Sequence, residues 1–97
     1  MEAVLRIEVI TSLVELRRLC ERLRDAGIVN YTTFPNVQGQ GERGRQGGDD
    51  LTRVSENSYL LTTCTQEQLA RVVDAIRPVL QEFGGECLVS DVMRIKH

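Results

Sequence analysis

The chain runs through the same succession of patterns twice, and few folds accept that order. Glu2 to Ile10 alternates, with Leu5, Ile7 and Val9 on one side and Arg6 and Glu8 on the other, which describes a half-buried strand. Ser12-Leu13-Val14-Glu15 then reads as a capping box, and Leu13, Leu16, Leu19, Cys20 and Leu23 form a helical stripe that Gly27 stops. Ile28 to Val37 is rich in β-branched and aromatic residues and reads as a second strand, with Pro35 marking an edge position or a bulge. Asn57 to Cys64 is a third strand. Thr65-Gln66-Glu67-Gln68 repeats the capping logic, and Leu69, Val72, Val73, Ile76, Leu80 and Phe83 line a second helix. Pro78 lies inside that helix and is expected to kink it or end it early. Gly84-Gly85 closes the helix, and Glu86 to Ile95 is the last strand.

The order is β-α-β-β-α-β. Two βαβ halves with both helices on one sheet face make an α+β, ferredoxin-like fold with an antiparallel four-stranded sheet. At 97 residues this is one domain, spanning 1–97, and a small one that gains from burying surface in an oligomer. Only the connection between the second and third strands is abnormal, because a hairpin there normally needs about two to five residues. Instead Gln38 to about Glu56 forms a long loop, and five of the eight glycines fall in it. A loop of that length on a small domain is expected to be flexible and to carry function.

Composition narrows the function classes. The net charge of −2 argues against a nucleic-acid partner, which would demand a basic surplus. The stacking aromatics of an RNA-binding sheet are missing too, since only Tyr59 marks the third strand. No apolar run is long enough to span a membrane and no secretory leader is visible, so a cytoplasmic location is expected. Every cation except Lys96 is an arginine, a residue suited to bidentate grips on phosphate and carboxylate. Cys20, Cys64 and Cys87 fall in apolar stretches without metal-ligand spacing and read as buried free thiols, so no metal site and no metal cofactor is expected. Nothing positions a catalytic nucleophile, and the chain does not read as an enzyme.

Three constellations could hold a ligand. Gly39-Gln40-Gly41-Glu42-Arg43-Gly44-Arg45 lets a ligand approach bare backbone with arginines just downstream, although a plain linker would look similar. In the last strand Arg94 and Lys96 share a face by period two, an arrangement that suits a polyphosphate or merely protects a sheet edge. Phe83-Gly84-Gly85-Glu86 is a tight turn into that strand and at minimum a helix stop.

Taken together these pieces resemble the PII signalling family. The likeness rests on the element order, the long loop, the G-x-G at its base, the glycine turn and the basic last strand. The runs Gly27-Ile28-Val29-Asn30-Tyr31-Thr32-Thr33 and Gln68-Leu69-Ala70-Arg71-Val72-Val73-Asp74-Ala75-Ile76 add to it. The resemblance implies a homotrimer with adenine nucleotide bound in clefts between subunits and a loop that reports occupancy to a partner protein. It places Gly39, Gln40 and Gly41 on the phosphates, Gly84, Gly85 and Glu86 across the cleft, Arg94 and Lys96 as phosphate cations, and Thr32 with Thr62 or Thr63 beside the adenine.

The departures from the family pattern sharpen that expectation. No tyrosine in the loop can accept a uridylyl group, Glu86 replaces a phosphate-binding lysine, and Arg43 replaces a glutamine that helps hold magnesium and 2-oxoglutarate. The chain is therefore more similar to the carboxysome-associated PII-like proteins, which implies ADP or AMP as ligand, with ATP as a weaker one. It also implies bicarbonate at Arg43 and Arg45, and a bicarbonate transporter as membrane partner. Two alternatives stand beside this: a structural or metal-tolerance trimer of the CutA type without a nucleotide site, and slow nucleotide hydrolysis with a metal on Asp49 and Asp50.

Overall fold

The computed structural model describes residues 1–37 and 56–96. Strand β1 (Glu2–Ser12) leads through a 3₁₀ turn (Leu13–Glu15) into helix α1 (Leu16–Asp25), then β2 (Tyr31–Val37) and β3 (Asn57–Cys64). A second 3₁₀ turn (Gln66–Gln68), α2 (Leu69–Phe83) and β4 (Glu86–Arg94) complete the chain. The four strands form one antiparallel sheet in the order β2-β3-β1-β4, the ferredoxin-like arrangement.

Alternation decides what each strand buries. Leu5, Ile7, Val9 and Thr11 of β1 stand opposite Cys64, Thr62, Leu60 and Ser58 of β3, and all eight are buried. Leu19 and Leu23 of α1 and Val72, Ala75, Ile76 and Val79 of α2 close over this layer. Each fully buried aliphatic chain adds roughly 1.5–3 kcal/mol, so this layer supplies most of the driving force. The opposite sheet face carries Arg6, Glu8, Tyr59, Leu61 and Thr63. There Tyr59 donates to Glu8 Oε2 at 2.6 Å, Arg6 Nε lies 3.3 Å from Glu8 Oε1, and the Phe34 and Tyr59 rings pack with centroids 5.6 Å apart. The bond to Glu8 holds the Tyr59 phenol above its ordinary pKa.

Local chemistry sets the element ends, with two departures from expectation. Gly27 has φ 97°, Ile28 N–H bonds the Leu23 carbonyl and Gly27 N–H that of Arg24, so α1 ends in a Schellman motif. Thr65 and Gln68 form the reciprocal capping box. Ser12 does not: it stays in the ladder opposite Asn57, Leu13 N–H bonds the Glu56 carbonyl, and the helix begins only at Leu16. Nor does Pro78 end α2, which runs unbroken from Leu69 to Phe83. The ring removes one intrahelical bond, but the neighbouring Ala75 carbonyl accepts from Arg22 Nε of α1 at 2.7 Å, tying the helices together beside the defect. Pro35 sits in edge strand β2, where the register with β3 shifts between Phe34 and Val37.

All three cysteines are free; Cys64 is buried, Cys20 and Cys87 are half-buried, and burial raises the thiol pKa of Cys64 and Cys87. No described helix is long and apolar enough to cross a membrane.

Candidate functional site

Thr62 and Thr63 are neighbours that the pleat sends to opposite faces. Thr62 is buried on the helix side and donates to the Asn30 carbonyl at 2.7 Å, which fixes the chain entering β2. Thr63 lies on the open face and its Oγ1 accepts from Arg94 Nη1 at 3.0 Å. A groove of roughly 450 Å³ runs along this end of the sheet, lined by Arg6, Asn30, Thr32, Leu61, Thr62 and Thr63. A second groove adjoins it through Val29, Asn30 and Thr63 and reaches Val4, Gln68 and Arg94. Thr32, Thr62 and Thr63 thus line the first groove, and Thr63 and Arg94 the second, which adjoins it.

Arg6 is the cation lining the first groove and Arg94 that lining the second, where it is already engaged. Arg94 stands opposite Glu2 in the β1–β4 ladder, with Nη2 at 2.9 Å and Nε at 3.3 Å from Glu2 Oε1. Its hydrogen bonds hold the Glu2 carboxyl below the usual carboxylate range, so Glu2 is charged at neutral pH. Lys96 lies just past the end of β4 and adds to the field on Glu2.

Gly84, Gly85 and Glu86 lie elsewhere. Glu86 stands opposite Ile10, at the end of the sheet where Ser12 meets Asn57 and Val37 meets Asn57. Glu86 and Arg94 are the first and last residues of β4, so about 26 Å separates them along the strand. The ends of the long loop leave the sheet on the glycine side. Gly39, Gln40, Gly41, Arg43, Arg45, Asp49 and Asp50 lie outside the described residues.

Sequence reasoning missed Glu2, Arg6 and Asn30. In the sequence Arg6 reads only as the polar side of an alternating strand and Glu2 only as its first residue, and no local signal names their cross-strand partners. Asn30 contributes its backbone, which the sequence does not advertise.

The fold and the groove can now be set beside known proteins. The family model for nitrogen regulatory protein P-II matches residues 4–97. This chain belongs to the P-II family. No curated protein sequence matches it. Among solved structures it is similar to CPII, a nitrogen regulatory PII-like protein from Thiomonas intermedia K12, bound to ADP, AMP and bicarbonate. That match has TM-score 0.81 at 17% identity and covers 98% of this chain and 96% of the other. CPII bound to ADP and bicarbonate gives TM-score 0.76 at 19% identity, covering 93% and 86%. The GlnK–ATP complex of B. subtilis gives 0.69 at 17% identity, covering 95% and 84%. At these identities the likeness shows the P-II fold.

Proposed function

We propose that this P-II chain is a non-enzymatic regulator, a homotrimer that binds ADP or AMP in the clefts between its copies together with bicarbonate. The loop at residues 38–56 passes ligand state to a membrane transporter of inorganic carbon. One observation carries the inter-copy part of this reading. The glycine turn and Arg94 occupy opposite ends of a single strand, too far apart for one nucleotide to touch both on the same chain. A second copy that brings its glycine turn, or its loop base, to the Arg94 end of the first completes the grip.

Exposed apolar side chains on both edge strands support assembly. Phe34, Leu88, Val89 and Met93 are exposed hydrophobics on the two edge strands, and a second copy would cover such surface. Of the structural relatives named above, CPII is bound to ADP, AMP and bicarbonate and GlnK to ATP; the adenine nucleotide is common to both, and CPII is the precedent for bicarbonate. Arg43 and Arg45 are the residues assigned to bicarbonate, because a guanidinium forks onto its planar oxygens as it does onto a carboxylate.

Calorimetric titration tests the pairing of ligands. ADP affinity measured with and without saturating bicarbonate should differ, and ADP should change bicarbonate affinity by the same factor, as linkage requires. Bicarbonate that neither binds nor alters ADP affinity would remove carbon sensing from the proposal while leaving the nucleotide site standing.

A further inference from the structure

We infer that Glu2 is a resident anion in the phosphate subsite, which occupies Arg94 until a phosphate displaces it and thereby sets how strongly the cleft discriminates by ligand charge. The inference rests on the assignment of Arg94 to the nucleotide phosphates. It deepens that assignment, because the arginine is not waiting free. Its Nη2 and Nε converge on the one oxygen Glu2 Oε1, at 2.9 and 3.3 Å, while Nη1 is spent on Thr63 at 3.0 Å.

Cross-strand geometry brings the two side chains together. Glu2 and Arg94 are direct partners in the β1–β4 register, so their side chains leave the sheet side by side on the same face. Arg94 then leans across the strands to Thr63, beside Val4, which is only 5% exposed although it lies on the face away from the helices. The guanidinium is thus engaged on both sides, by Glu2 and by Thr63, at the edge of the second groove.

The contact is nevertheless easy to exchange. The Arg94 and Glu2 side chains are 50% and 37% exposed, and pairs of that kind are weak because water competes for both charges. A phosphate carries more charge and more acceptor oxygens than one carboxylate and can replace it on the arginine. Neutral parts of the ligand do not meet this competition. Glu2 thus lowers affinity for a phosphorylated ligand without touching the adenine subsite.

The test is a double-mutant cycle in ligand binding. Wild type, Glu2→Gln, Arg94→Ala and the double variant are titrated with ADP, and with adenosine as the uncharged probe; Glu2→Ala provides a second removal of the charge. Glu2→Gln and Glu2→Ala should each tighten ADP about three- to fivefold, the size of an exposed ion pair lost. Adenosine affinity should not change, and the gain on ADP should vanish in the Arg94→Ala background. Unchanged or weakened ADP binding in both Glu2 variants overturns the inference while leaving the phosphate site intact. A gain that persists without Arg94 also overturns it, since Glu2 would then act as a general surface charge. If Arg94→Ala itself leaves ADP affinity unchanged, the phosphate assignment fails and the inference with it. A wild-type chain that binds no adenine nucleotide overturns both this inference and the proposed function.

Discussion

Replacing Gly85 with alanine should lower the thermal midpoint by roughly 10–20 °C, the shift that about 3 kcal/mol produces in a domain of this size. Two costs combine at this position. Its φ of 117° lies where L-residues are strained. A β-carbon there would also collide with the Ile10 carbonyl oxygen and sit 3.0 Å from Thr11 Cα. Both obstacles are backbone of the central strand, which cannot move aside without breaking its pairing to β3 and β4. The turn is fastened at the same spot by Thr11 Oγ1 donating to the Gly84 carbonyl at 2.9 Å. Gly27→Ala is the natural comparison, since its φ is 97° but the nearest atom to a new β-carbon is Gln68 Nε2 at 4.0 Å. That variant should lose only about 1–2 kcal/mol. Calorimetric or circular-dichroism melts of the two would decide, and equal small losses would mean that the turn does not abut β1 as described.

The second large effect concerns binding. Arg94→Ala should weaken ADP about 10- to 100-fold, as expected when a charged hydrogen-bond donor to phosphate is lost, at about 1.5–3 kcal/mol. Stability should barely change, because the pair with Glu2 is exposed and worth little to folding. The separation matters: a variant that melts normally yet binds ADP poorly has lost a ligand contact rather than its fold. ADP affinity within about twofold of wild type would take Arg94 out of the site, and the Thr63 side of the groove with it.

What the sequence made legible here is what one strand or helix decides alone. The alternation of Leu5, Ile7 and Val9, the Gly27 stop and the Thr65–Gln68 box depend on residues within a few positions of each other, and the structure shows each of them. Ser12 failed as a cap because a distant strand claimed it: pairing with Asn57 keeps it extended. Pro78 reads as a helix breaker from its own chemistry, yet α2 runs on through it to Phe83. The choice between Thr62 and Thr63 stayed open because a single step along the strand exchanges the two faces and only the pairing with β1 fixes which is which.

The site was partly legible for the same physical reason. Thr32, Thr62 and Thr63 line one groove at the end of the sheet, and Thr63 and Arg94 line a second that adjoins it; their assignment to a nucleotide belongs to the proposal. Glu2 could not have been found from the sequence. Its role follows from lying opposite Arg94 in the sheet, although 92 positions separate the two in the chain.

The claim on which the account turns is that a nucleotide needs two copies of the chain, because one copy holds the glycine turn and Arg94 at opposite ends of β4. Native mass spectrometry across a dilution series with ADP present measures this directly. The account predicts trimers that retain ADP and single chains that are bare at every concentration. Single chains that carry ADP as readily as the assembled species do would contradict it.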